Sequence, residues 1–254
     1  MTVRRYRASA WRLAIIAAMV AVLEGLCRAG VIAHLTMPPP SEIVRDLVRI
    51  LLSGSMNAAM IKTLGNVAVA FVLSVIVGVS LGVAIHPWRG LRDALEPLFA
   101  TWYAVPVYAF YPLFIILFGL GDKPQILIGF MLAMIAVVVS TLGGLDRVPR
   151  VFRRTARMHR MGPVATALRI TLPCAAPYLF TGVKLALSYA FIGVVGAEFI
   201  LSRDGLGYEI NFAFNNFDNG VMYPLILLIL LIATTLNMTL HHWERSLLAR
   251  RSRG

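Results

Sequence analysis

Long apolar runs recur along this chain, each closed by a polar connection, and their length sets the first expectation. Runs at about 11–31, 64–85, 98–118, 125–142, 178–200 and 221–240 lie near the roughly 20 residues a helix needs to cross a bilayer. The stretch after Pro38, Pro39 and Pro40 is different. Ile43, Leu47, Ile50 and Leu51 alternate with Arg45, Asp46 and Arg49 at helical spacing. That pattern predicts a short amphipathic helix on the outer membrane surface, with Ser41 as its N-cap and Glu42 in its first turn. Pro106 and Pro112 predict a kink in the third span. Small residues at Gly78 and Gly82 in the second span, and at Gly193 and Gly196 in the fifth, predict close helix approach.

The longest polar interval, 146–177, contains Arg147, Arg150, Arg153, Arg154, Arg157, Arg160 and Arg169 against a single acid, Asp146. Arginines at 150, 153, 154, 157 and 160 fall on one helical face, so the interval reads as a basic, helix-patterned surface loop.

Composition agrees with the run lengths. Of 254 residues, 59% are apolar and 14% charged, where a soluble domain carries roughly 25% charged residues. Mean hydropathy is +0.77. The class is integral membrane protein, all α. The net charge of +12 is spread between spans rather than gathered on a module, which points to topology and anionic lipid rather than nucleic acid. If the first span starts inside, Arg28, Arg45, Arg49, Lys62, Lys123 and Arg203 lie outside and Lys184 within a span. Every other Lys and Arg is then inside. Six transmembrane helices with both termini cytoplasmic are expected. The first apolar run has no convincing cleavage site and is read as a retained helix. Cys27 and Cys174 are expected to be free thiols.

Candidate chemistry is sparse. The histidines (His34, His86, His159, His241, His242) form no metal or catalytic spacing, and no lysine follows a glycine as a phosphate loop requires. The chain is therefore expected to be neither an enzyme nor an ATP binder. Glu24 and Arg28 stand at pairing distance on one helix. Lys184 is expected to snorkel to the inner interface, and Glu198 to serve either a pathway or a structural hydrogen bond.

The segments PPPSEIVRDL, TLGNVAVAFVLSVIVGVSLGVAI, VPVYAFYPLFIILFGLG, GAEFI and GLGY together resemble a known family. They are similar to the permease subunits of binding-protein-dependent ABC importers of type I, in the branch serving nitrate, sulfonate and taurine. The resemblance implies a methionine-importer-like permease fold in the inner membrane. It divides the chain into an N-terminal part at 1–57, a transmembrane domain at 58–243 and a basic tail at 244–254. The implied partners are ABC ATPase subunits, which would hold the ATP and Mg, a second permease subunit, alike or different, and an extracytoplasmic solute-binding protein. The family's cytoplasmic motif reads E-A-A-x-x-x-G, then I-x-L-P. Here Ile170, Leu172 and Pro173 supply the close, and an ungapped count puts E-A-A at Arg154, Thr155 and Ala156 and the glycine at Arg160. Acid and glycine are thus both arginine, and Gly162 with Pro163 is expected to have taken over the helix break. Arg154→Glu or Arg160→Gly is expected to weaken assembly with the ATPase. Path-lining candidates are Tyr103, Pro106, Tyr108, Tyr111 and Glu198. The rival readings are a divergent partner acting in a heterodimer, a secondary transporter without an ATPase, and a membrane enzyme. The last two predict intramembrane charges or catalytic clusters that the sequence does not show.

Overall fold

The computed structural model describes the backbone of residues 2–251 and, within it, the side chains of 11, 14–149, 151–152, 154–156, 158–162 and 165–244. The side chains of Arg4, Arg5, Arg7, Arg12, Arg150, Arg153 and Arg157, and of the tail from 245, lie outside the described residues. The elements are helical: α1 Thr2–Arg28, α2 Pro40–Ser53, α3 Asn57–Ile85, α4 Arg89–Thr101, α5 Tyr111–Phe118 and α6 Asp122–Asp146. They continue with α7 Arg150–Met158, α8 Pro163–Thr166, α9 Leu172–Leu201, α10 Leu206–Asn215 and α11 Asn219–Arg251.

Among the described residues four helices are long and apolar enough to cross a membrane, at 57–85, 122–146, 167–201 and 219–244. A bent pair, 89–104 and 107–118, meets at 87° and gives a fifth if it counts as one span. The predicted third span is therefore broken rather than kinked. Two short 3-10 turns, Trp102–Ala104 and Val107–Phe110, flank the break. Pro106 has no amide hydrogen to continue a helix, and it biases Val105 to extended backbone, where ψ is 124°. The helix restarts with Pro112 in its first turn, where a missing N–H costs nothing.

The centre is a three-helix contact among α3, α6 and α9, built on the small residues the sequence singled out. A Cβ placed on Gly193 would sit 2.6 Å from the Gly129 Cα, so α6 and α9 meet backbone to backbone. A Cβ on Gly78 would lie 2.6 Å from the Val137 Cβ, and one on Gly82 lies 2.7 Å from the Thr141 Cβ. Val67, Ala70, Ala133, Ala186, Ala190 and Val194 fill the space around these contacts. Short side chains let the helices approach, and dispersion across the seam replaces the hydrophobic drive that lipid does not supply.

The amphipathic helix is present as α2. Its predicted cap is not. Pro39 precedes the helix and Ser41 lies within the first turn. The free Ser41 amide instead donates to the Glu24 carboxylate at 3.0 Å, and the Ser41 hydroxyl donates to it at 2.7 Å. The Glu24–Arg28 pair forms at 2.6 Å, so one carboxylate serves both α1 and α2. Leu47 packs with Leu206, Ile210, Leu225 and Leu228, which docks α2 onto α10 and α11.

Candidate functional site

The polar interval at 146–177 folds into two helical pieces with a defined break. Helix α7 buries Ala156, at 1% exposure, and presents Val151, Arg154, Thr155 and Met158 to the outside. At its end the His159 amide donates to the Thr155 carbonyl at 3.0 Å, and the Met161 amide reaches back to the Ala156 carbonyl at 3.0 Å. The second bond spans five residues, the closing bond of a Schellman cap. Such a cap requires a left-handed residue, and Arg160 is that residue, with φ +50°. Gly162 does not adopt it. Its carbonyl instead accepts the Thr166 amide at 2.9 Å, opening α8 at Pro163. The left-handed residue therefore falls at the family's glycine position, occupied here by an arginine, while Gly162 closes the break and Pro163 opens the second piece, as the sequence suggested.

Beyond α8 the chain winds one π turn, Ala167–Thr171, before α9 begins with Pro173 in its first turn. Ile170, Leu172 and Pro173 are half-buried, and Leu172 packs on Leu145, Val148 and Ala175. The loop is held from behind by charge. The two terminal guanidinium nitrogens of Arg92 meet the Asp146 carboxylate at 2.6 Å, and His86 lies 3.4 Å from it. The Arg147 guanidinium stacks 4.5 Å over the Tyr178 ring. The loop thus has fixed ends on α6 and α9 and an outer face of Val151, Arg154, Met158 and Leu168.

The path candidates in the membrane interior separate into two groups. The Tyr111 hydroxyl donates to the Leu201 carbonyl at 2.9 Å, and the Tyr108 hydroxyl to the Ile192 carbonyl at 2.8 Å. Tyr108 fills the notch left by Gly196, and Tyr111 is buried with Val107, Ile128 and Ala197. Pro106 makes the break described above. Tyr103 is different. It stacks on Tyr189 with ring centroids 5.3 Å apart, and both line a cavity of about 560 Å³ between α4, α6 and α9. The structure does not bring Tyr108, Tyr111 or Glu198 to that cavity.

Glu198 sits at the other end of α9 with no exposure. Its Oε2 accepts from the Thr63 hydroxyl at 2.8 Å and from the Gly207 amide at 3.1 Å, and the Thr63 oxygen accepts the Leu206 amide at 2.8 Å. Gly205, at φ +100°, and Gly207 press so closely on this carboxylate and on α9 that neither has room for a side chain. The GLGY segment is thereby seated on the GAEFI segment. Above it Lys62 bridges Asp122, at 2.9 Å, and Asp204. Gln125 accepts from Asn66 at 2.8 Å and donates to Ser202 at 2.7 Å. Outside the spans, burial raises the carboxyl of nearby Glu209 above its ordinary range.

Three ion-pair partnerships were not identified from the sequence. Lys184, expected to snorkel, meets Glu244 at 2.6 Å, with His241 at 3.3 Å from the same oxygen. Lys62 with Asp122 and Asp204, and Arg92 with Asp146, likewise join residues more than 50 positions apart. An unmatched charge within or beside a span was the available signal. It marks that a partner exists without saying which.

Residues 70–253 match the family described as binding-protein-dependent transport system inner membrane component. The chain is 27% identical over 237 residues to the taurine transport system permease protein TauC of Escherichia coli (strain K12), covering 91% of this chain and 86% of that one. It is 28% identical over 175 residues to the nitrate import permease protein NrtB of Leptolyngbya laminosa, covering 69% of this chain and 63%, under two thirds, of that protein. It is 28% identical over 151 residues to the bicarbonate transport system permease protein CmpB of Synechococcus elongatus, covering 59% and 54%.

Proposed function

The chain belongs to the family of inner membrane components of binding-protein-dependent transport systems, and we propose on that premise that it forms the solute path of an ATP-driven importer for a small oxyanion. The family is a non-enzymatic transport component of the inner membrane. In this reading two such subunits enclose the path, ATPase subunits dock beneath the 146–177 loops, and a binding protein delivers solute to the opposite face. Alternating access would follow nucleotide-driven movement of the docked loops. Completing the topology, α1 and the broken 89–118 segment each count as a span, giving six with both termini inside. The names of the relatives support the solute class: nitrate, taurine and bicarbonate all carry oxygen acceptors.

The observation that carries the reading is the loop itself. Its α7 exposes Val151, Arg154 and Met158, and its ends are held where Asp146 pairs with Arg92 of α4 and where Leu172 packs on Leu145 and Val148. A surface helix fixed to the core but unpartnered on its outer side suits docking of a second protein. The test is co-purification with the ATPase, then anion uptake in liposomes with the binding protein outside. Failure of an ATPase to associate sinks the proposal.

A second reading, in which this chain works beside a non-identical permease, is favoured by Arg154 and Arg160 at the family's acid and glycine positions. Subunit stoichiometry in the purified complex separates the two.

A further inference from the structure

Four tyrosines lie close to the membrane interior, and their hydroxyls have two different fates. Those of Tyr108 and Tyr111 are spent on the Ile192 and Leu201 carbonyls. Among the described residues no hydrogen bond engages the hydroxyls of Tyr103 and Tyr189, nor that of Ser140. All three line the same cavity of about 560 Å³. None of the three is sealed in the packed interior, so each hydroxyl is open to the cavity and free to donate into it.

The walls set its character. Ala136 and Gly143, on the same face of α6 as Ser140, keep the floor open with small side chains. Tyr103 is 47% exposed, so the cavity is open on one side. The charged residues that line it, Arg92 and Glu96, lie about three and about two helical turns from Tyr103. Tyr103 is eleven residues, roughly 16 Å, beyond Arg92. Arg92 is already held two-handed by Asp146 at the loop end. The hydroxyl end therefore offers O–H donors without a carboxylate or a strong positive charge. Donors of that kind suit an acceptor-rich group that must bind weakly enough to leave.

We propose that Tyr103, Ser140 and Tyr189 form a hydroxyl-lined station on the solute path, taking the oxygen atoms of a small oxyanion, nitrate-, sulfonate- or carbonate-like. The stacked Tyr103–Tyr189 pair forms part of the station's wall. The inference rests on the transport reading above, and neither Ser140 nor Tyr189 was a candidate from the sequence.

Two measurements on the assembled importer test it. In a Cys27→Ser, Cys174→Ser background, Ser140→Cys is exposed to two thiol reagents of similar size, 2-sulfonatoethyl methanethiosulfonate and its trimethylammonium counterpart. Each rate is divided by that of the same reagent with a small free thiol, since the thiolate itself favours the cation. The sulfonate is expected to have the higher ratio, and Tyr103→Phe to lower it by about tenfold, the loss of one hydrogen bond to a charged group. Equal ratios for the two reagents, or no reaction in the Ser140→Cys variant, overturn the station. Uptake of nitrate and taurine per assembled complex is measured in Tyr103→Phe, Tyr189→Phe and Ser140→Ala, with a similar fall expected in at least two of them. Unchanged uptake in all three also overturns it. If the wild-type complex fails to assemble or to take up any anion, the transport reading fails. Labelling of the isolated chain in detergent still decides whether the cavity admits and prefers an oxyanion.

Discussion

The Thr63 hydroxyl donates to the Glu198 carboxylate at 2.8 Å, and neither side chain has any exposure. Thr63 is also the acceptor for the Leu206 amide. One hydroxyl therefore links α3, α9 and the start of α10. Thr63→Val removes a donor and an acceptor at once, leaving a buried amide and a buried carboxylate short of partners. A loss of about 2–4 kcal/mol in stability is expected, read as a lowered melting temperature of the detergent-solubilised chain. Glu198→Gln keeps an acceptor for Thr63 and Gly207, so it should cost less than Glu198→Ala. The reverse order would contradict the assignment.

Arg160 holds a left-handed backbone that glycine adopts freely. Arg160→Gly is predicted to stabilise the loop by roughly 1 kcal/mol, and Arg160→Val to destabilise it. Hydrogen exchange of the 156–166 amides, slower in the glycine variant and faster in the valine variant, checks this. The effect on ATPase assembly is a separate quantity, since the arginine also supplies surface charge. Stabilised exchange with weakened assembly would show that the charge is what the partner meets.

Arg154 is exposed beside Val151 and Met158 on the outer face of α7. Arg154→Glu reverses its charge without touching packing. Association with the ATPase should weaken by about tenfold at low salt, and the difference from wild type should shrink as salt rises. Equal association at every ionic strength would mean that the groove is indifferent to charge at this position.

Lys184 and Glu244 pair across α9 and α11, and Ser188 donates to Asn237 at 3.0 Å one turn further in. Lys184→Met and Glu244→Gln should each cost about 1–3 kcal/mol, and the double variant no more than the worse single. Additive losses in the double-mutant cycle would show that the contact carries no coupling.

The spans of α3, α6, α9 and α11 were readable from the sequence because run length and apolar composition are local properties. The glycines that let α3, α6 and α9 approach were readable for the same reason, though which helix each would meet was not. The break at Val105–Pro106 was half legible. Proline announces a disturbance, but whether the helix bends or stops depends on what packs around it, here Tyr108 in the Gly196 notch and Trp102 donating to the Met131 carbonyl. Counting back from Ile170, Leu172 and Pro173 found the correct position for the loop break. Gly162 with Pro163 does start the second piece, but the positive φ sits at Arg160, because the cap that ends α7 needs its left-handed residue there and not at the glycine. Ser41 failed as a cap because the helix starts a residue earlier, at Pro40, and its own amide and hydroxyl donate to Glu24 of another helix. Of the path candidates, residue type alone could not separate Tyr103 from Tyr108 and Tyr111, whose roles differ only in where their hydroxyls end.

The backbone contact between Gly129 and Gly193 has a mechanical consequence. It sits far from the middle of α9. From Gly193 to the Leu172 end is roughly 31 Å, and to the Leu201 end roughly 12 Å. If α9 tilts about that contact, the two arms are unequal by about two and a half to one. In the proposed importer an ATPase moving the loop would work the long arm of a lever, so a large stroke at the Leu172 end would become a short, forceful one at the Leu201 end. That short arm ends at Glu198 and the glycines seated on it, where a small displacement is enough to unseat them.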